Sequence, residues 1–492
     1  MEIQKVIEHN RRIQDHLFGQ NEELRIIRDE LLEASNLQKE REKIPVIATG
    51  HQPTIYYPGL LFKSFFTGDA AKQTGGIAIN FVVDSDKANF RIPLPYQQEG
   101  ELQKMQAELK NQKNKIYAAF NPSYEQICNF FDTISKALDS LSQSSIRETF
   151  EQYKKSFFNA FEKHPDFTKT VTDLRKEFDK SLGLKIRDIN ISYIVQSKGY
   201  YRYILYLIRH LRNFTKVYND AVSHCKRKDY QPVKFLNHQA DWYELPFWLG
   251  QNSKRYPVYV KRDEELIHFY SEEADTDISI NIHNRNDAEI VQALGDSLTL
   301  YPKATTLTLM IRLFLCDVFV HGTGAIEYEK VNNKILHNFF SLEYKPYFYG
   351  VTGDIWLPLP GHEGVHDGLE KEYKRKQKWL EEADRDPEKF IPRVLAEQYK
   401  AEKKQLARQM QQEEDPGKRR ELHQQLMKKD EEMKQYLKPE IEKARETLAR
   451  YDKLLSRRNV YFERKYPYFI FPEGYLTEEH FRKNLKARLK TD

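Results

Sequence analysis

Between residues 44 and 83 the sequence runs apolar strand, glycine turn, helix, second apolar strand, and that order leaves few folds open. Residues 44–48 are a short apolar run and Thr49-Gly50-His51-Gln52-Pro53 a loop; 60–72 read as a helix closed by Gly75-Gly76, and 77–83 as a second apolar run. Two strands joined through a helix pair in parallel with a right-handed crossover, because a hairpin suffices for antiparallel neighbours. Strands without polar alternation are buried on both faces, so helices must cover the sheet. The predicted fold class is α/β with a Rossmann-like parallel-sheet core.

The rest of the chain is read around that unit. Residues 2–41 place Val6, Ile13, Leu17, Leu24, Ile27 and Leu31 at helical spacing, which predicts one or two amphipathic helices. Residues 101–228 carry few strand signals and read as a helical insertion. Strand character returns at 256–270. A second strand, turn and helix series follows: 298–300, a helix opened by Pro302, strand 318–321, Gly322-Thr323-Gly324, then a helix over 326–339. In 418–455, Leu422, Leu426, Met433, Leu437, Ala444, Leu448, Tyr451 and Leu455 recur mostly every three or four residues. Ile391, Leu395, Tyr399, Leu406 and Met410 match them across the turn Asp415-Pro416-Gly417, which predicts a long antiparallel coiled-coil hairpin. Its second arm extends roughly 55 Å, with a kink at Pro439. Tyr461-Phe462 and Tyr468-Phe469-Ile470-Phe471 then return as strand or extended chain. The predicted partition is 1–100 for the N-terminal helices and first half of the core, 101–235 for the helical insertion, 236–362 for the second half of the core, 363–458 for the hairpin and 459–492 for the returning segment.

At 492 residues the chain exceeds one compact core. The 31% of charged residues fits a solvated hairpin, and 78 basic against 73 acidic residues is dense charge of both signs, not the one-sided basic face of a nucleic-acid binder. Three cysteines without CxxC spacing fit a reducing compartment. With neither an apolar leader nor an apolar run of membrane-spanning length, the expectation is a cytoplasmic protein with no membrane partner.

In open parallel sheets ligands bind beyond the C-terminal strand ends, so the turn at Gly50 and the acids Asp84 and Asp86 should face one crevice. Gly50 lets the backbone approach a ligand and His51 donates to a phosphate or carboxylate. Gln52 lies in the same loop, and free N–H groups at the next helix favour an anion. Lys63 adds positive charge there only if that helix begins later than residue 60. Asp84 and Asp86 either hold a hydroxyl or amine of the substrate or cap a helix. His321, Gly322 and Gly324 repeat the arrangement in the second half, with Glu327 and Tyr328 one turn on; the glycines form an anion cradle or merely permit close packing. The run 237–248 combines aromatic walls with acids, either as pocket lining through His238 and Glu244 or as a packing seam. His362-Glu363-Gly364-Val365-His366 matches the zinc-hydrolase pattern H-E-x-x-H, but Pro360-Gly361 and Gly364 make poor helix and no third ligand follows, so no metal site is assigned. No Walker A lysine, G-x-S-x-G elbow or Cys-His pairing occurs.

Thr49-Gly50-His51-Gln52-Pro53 with Pro58-Gly59 and Lys63, the Asp84-Ser85-Asp86 strand end, Pro302 with 320–328, the charged hairpin and Phe471-Pro472-Glu473-Gly474 together resemble the bacillithiol biosynthesis cysteine-adding enzyme family. The chain looks like a divergent branch: His51 stands where that family has Gln, His321 where it has Gly, and Ala325 where it has Glu, with Glu327 two residues later. The resemblance implies a Rossmann-like core, a coiled coil that makes a homodimer, and a ligase-like joining of cysteine to the amine of a glucosaminyl malate. The leading expectation is an enzyme joining an amino-group substrate to a phosphate- or carboxylate-bearing small molecule. His51 and Lys63 would stabilise negative charge, and Asp84 or Asp86 would orient the amine. A nucleotide is compatible with the fold, and no other cofactor is assigned. The alternatives are nucleotidyl transfer on the same fold and a non-catalytic coiled-coil interaction protein.

Overall fold

The computed structural model describes residues 3–111, 113–226, 233–360 and 368–490. The H-E-x-x-H match therefore lies outside the described residues. The chain is mixed α/β and divides into two compact units, one of residues 1–96, 105–356 and 464–492, the other of 97–104 and 357–463.

In the first unit, β1 (Val46–His51) and β2 (Ile77–Val82) pair in parallel, with Gly50 opposite Phe81. The helix Pro58–Thr74 between them starts after the extended Tyr57 with proline in its first turn and ends at Gly75, whose φ of 65° is the left-handed conformation that closes helices. The strand β3 (Phe90–Gln98) forms a two-stranded ribbon with β4 (Glu101–Leu109). β5 (Ile186–Asn190) then joins the free edge of β2 in parallel. Segment 101–235 is thus more than the helical insertion that was expected: it contributes β4 and the edge strand of the main sheet.

The expected second half of the core, 236–362, is also corrected. Its greater part builds a separate antiparallel sheet from β6 (His238–Gln239), β7 (Trp242–Gln251), β8 (Lys254–Arg262), β9 (Leu266–Ser271), β10 (Thr276–Asn281) and β11 (Leu300–Pro302), in the order β10-β9-β8-β7-β11 with β6 on β7. Pro302 ends β11 instead of opening the helix, which begins at Ala304. Only β12 (Val318–Gly322) and β13 (Phe348–Thr352) return to the main sheet, and β14 (Lys486–Lys490), which the sequence pattern did not reveal, closes it antiparallel. The order is β14-β13-β12-β1-β2-β5. The two sheets share one core, to which Ile79 and Phe81 of one and Leu245, Phe247 and Phe269 of the other belong, with Phe247 packed edge-on against Tyr200 and Tyr203 of the helix Lys198–Arg209. The buried Tyr200 hydroxyl donates to the Leu300 carbonyl at 2.8 Å.

The N-terminal segment forms three helices, Ile3–Gln20, Glu22–Ala34 and Gln38–Lys43, instead of one or two. The first fixes β12 from beneath: Asn10 and Gln14, both buried, donate to the Asp317 and Cys316 carbonyls.

In the second unit the helices Leu369–Arg385, Arg393–Gln412, Pro416–Tyr436 and Lys438–Tyr461 pair first with fourth and second with third. Asp415 caps the turn between the middle two by accepting from the Gly417 and Lys418 amides. The expected single arm breaks into two helices at Leu437, which is buried against Ile391, Ala396 and Ile441 just before Pro439. The pairs carry cross-helix ion pairs such as Lys429 with Glu402 at 3.2 Å. Among the described residues no helix is long and apolar enough to cross a membrane.

Candidate functional site

From β1 the chain winds outward to β2 and β5, whereas from β12 it winds the other way to β13, so the parallel neighbours β1 and β12 flank a topological switch point. Helices on either side of such a point diverge and leave a crevice at the C-terminal strand ends. A cavity of about 430 Å³ opens there. Of the residues singled out in the sequence, Gly50, His51, Gln52, Lys63, Asp86, His321, Gly322, Gly324 and Tyr328 all line it.

Gly50 is favoured by close packing, since a Cβ there would lie a tight 3.1 Å from the Phe81 carbonyl oxygen of β2. The helix after it begins at Pro58, earlier than predicted, yet Lys63 still reaches the mouth. Helical side chains lean toward the N-terminus, and its ammonium donates to the Gly50 carbonyl at 2.8 Å. Its stem passes beside Gly322. Lys63 thus sits between the two glycine turns, only 6% exposed. It forms no ion pair with any described residue, and burial lowers its pKa to about 8.

Both histidines are held neutral. His51 donates Nδ1–H to the Gln52 carbonyl at 3.1 Å, the tautomer in which Nε2 is an acceptor; burial and then Lys63 push its pKa to about 3. His321 is lowered to about 4, chiefly by burial and further by Arg312 and Lys63, with Glu329 opposing. A histidine kept neutral in the fold but protonated when unfolded costs stability below its unfolded pKa. Stability should therefore fall as pH drops from about 6.5 to about 4, by about 1.4 kcal/mol per unit from His321. Urea midpoints across that window should show a flatter slope in His321→Gln than in the wild type.

Asp86 lines the cavity but is saturated: Gln52 donates to Oδ2 at 2.8 Å, while the Lys87 amide and Arg255 hold Oδ1. It positions Arg255, which β8 carries in from the antiparallel sheet over the Trp248 ring. Asp84 does not reach the cavity. It is buried and accepts from the Asn190 side chain and from both the amide and hydroxyl of Ser192, so it ties the end of β2 to that of β5. Burial raises its pKa against those hydrogen bonds. Glu244 and His238 also lie elsewhere. Glu244 is bonded to Asn237 and Lys303, and His238 is exposed and stacked on Tyr243. Run 237–248 is accordingly a strand seam. Glu327 sits 3.4 Å from Lys330 and is not part of the cavity wall.

Sequence reasoning missed Arg255, Arg464 and Lys465 of the wall and the buried group beneath His321. Nothing local marks the first three. The last had a signal: Arg312 stands alone in the apolar run 309–316 and needs a buried acceptor, which Glu329 provides. Four basic side chains and one satisfied acid line the cavity, and backbone amides at 322–324 precede the uncapped helix Ile326–Asn338. That arrangement favours an anion. No group of three or more metal-ligating side chains occurs among the described residues. Compared with known proteins, the chain matches no family model and no curated sequence.

Proposed function

We propose that the chain is a ligase- or transferase-type enzyme that binds a phosphate- or carboxylate-bearing small molecule at the switch point and joins an amino-group partner to it. On this reading the sheet is Rossmann-like, the second unit is a coiled-coil hairpin that makes a homodimer, and the chain is a divergent branch of the bacillithiol cysteine-adding family. The observation that carries it is Lys63, a buried ammonium with one carbonyl partner, held where two glycine turns present backbone to the same cavity. A buried charge without a counter-ion is costly, and an anionic ligand is the group that completes it. Asp86 contributes by aiming Arg255.

Calorimetric titration with inorganic phosphate should give one site per chain, and the melting temperature should keep rising with the logarithm of phosphate concentration above the dissociation constant. Absence of heat and of any thermal shift at millimolar phosphate would remove the reading. A shift produced by ATP with magnesium but not by phosphate would favour nucleotidyl transfer instead.

A further inference from the structure

We propose that His321 is the base that takes the proton of the amino partner and that Glu329 is its positioning residue. The proposal rests on the reading of the cavity as a site where an amine is joined to an anion-bearing molecule. Near neutral pH an aliphatic amine arrives as an ammonium, and its nitrogen is no nucleophile until one proton leaves. The acids near the cavity are taken: Asp86 holds Gln52 and Arg255, and Asp84 holds Asn190 and Ser192. Lys63 is itself a cation. Two neutral imidazoles remain, and what stands behind each decides between them.

Among the described residues His51 has the Gln52 carbonyl and the Tyr56 ring beside it and no carboxylate partner, so a proton gained there makes a second cation beside Lys63 without an anion to offset it. Behind His321 is a carboxylate. Its Nε2 is buried without a geometric hydrogen bond and lies 3.4 Å from Glu329 Oε1; the Glu329 side chain is wholly inaccessible. Glu329 stays ionised although burial opposes it: a protonated His321 would favour the anion, and with the ring neutral Arg312 and hydrogen bonds from Thr308 and Arg312 still do. Arg312 bonds Oε2, and Asn332 donates to Oε1 at 3.2 Å. A bare nitrogen lone pair pointed at a carboxylate is repelled, so Nε2 carries the hydrogen and Nδ1 is the free acceptor. The ring is clamped by Phe319 at 4.4 Å and Phe348 at 5.2 Å between centroids, with Tyr328 edge-on at 6.2 Å. Arg312 reaches this group from a π-helical turn, Ile311–Leu315, a local widening that recurs at functional sites.

In the step itself the N–H bond of the ammonium breaks, its electron pair stays on nitrogen, and the proton moves to Nδ1. The imidazolium so formed faces Glu329. The groups around the ring are Glu329, Arg312, Lys63 and the Tyr328 phenol, which burial keeps protonated. An anion bound at Lys63 cancels one of the two positive charges that disfavour the imidazolium, so the ring becomes a better base when the first substrate is in place.

The test is carbethoxylation of the full chain by diethyl pyrocarbonate, which attacks accessible unprotonated imidazole nitrogen, with each histidine read by mass spectrometry and exposed His238 as the reference. His321 should react in the folded chain, at a rate that is level from pH 8 to pH 6 because the ring is neutral throughout. Inorganic phosphate, by filling the cavity through which the reagent reaches the ring, should slow His321 and leave His238 unchanged. Glu329→Gln should bind phosphate as before yet lower the His321 rate about tenfold, the equivalent of about one pKa unit of lost basicity when the carboxylate facing the ring is neutralised. An unreactive His321 beside fully modified His238 overturns the proposal, as does an equal His321 rate in Glu329→Gln and wild type. Should Glu329→Gln not fold, the wild-type comparison with His238 decides alone. A reactive His321 with no phosphate binding would support the base and remove only the anion reading.

Discussion

Asp317→Ala should cost about 3–5 kcal/mol, the range for breaking a buried ion pair by removing one partner. Asp317 is 2% exposed at the base of β12 and gathers two guanidinium cations and a backbone amide. Arg11 approaches Oδ1 at 2.8 Å, Arg41 approaches the same oxygen at 3.0 Å, and the Val46 amide that begins β1 donates to Oδ2 at 2.6 Å. Alanine leaves Arg41, itself 5% exposed, as an uncompensated buried cation near Arg28, whose pKa burial and Arg41 already depress. It also leaves an unpaired amide where β1 enters the sheet. Asp317→Asn keeps an acceptor for Val46 and should cost less. Adding Arg41→Met to Asp317→Ala should recover part of the loss, since the orphaned charge goes with it. Denaturant midpoints at fixed m-value measure all three, and a loss under about 1 kcal/mol in Asp317→Ala would show that this network does not anchor the two central strands.

The strand-helix-strand unit was legible because its signals are local: an unbroken apolar run, a glycine stop and another apolar run. The same locality explains what was missed. Residues 186–190 read Ile-Arg-Asp-Ile-Asn and 486–490 Lys-Ala-Arg-Leu-Lys, sequences with no two-faced apolar run, because both strands lie at sheet edges where one side is open. The antiparallel sheet was read as part of the Rossmann-like half because a strand's apolar content does not report its partner. Within the site, Gly50, His51 and His321 were found by their place at strand ends. Asp84 was misplaced by the same rule: a strand-end acid serves equally as an anchor, and only the Ser192 and Asn190 contacts decide. Arg255 comes from another sheet more than two hundred residues after β1, and no spacing in the chain announces that approach.

Lys63→Met should separate ligand binding from stability by moving them in opposite directions. The methionine keeps most of the stem that passes Gly322 but removes the ammonium. Phosphate then loses a buried counter-charge, a change worth about 2–5 kcal/mol, so millimolar titration should show no site. The free protein gains, because a buried cation with one carbonyl partner has been removed. The sign follows from the lowered pKa: between about 8 and 10.5 the unfolded chain holds the proton and the native chain has released it, so stability rises with pH across that window. Below pH 8 the native cation carries its full penalty, about 3 kcal/mol, and Lys63→Met should be the more stable protein by up to that amount. As pH approaches 10.5 the two proteins should converge. Loss of binding together with lost stability would mean that Lys63 serves the fold, and unchanged phosphate affinity would place the anion elsewhere in the cavity.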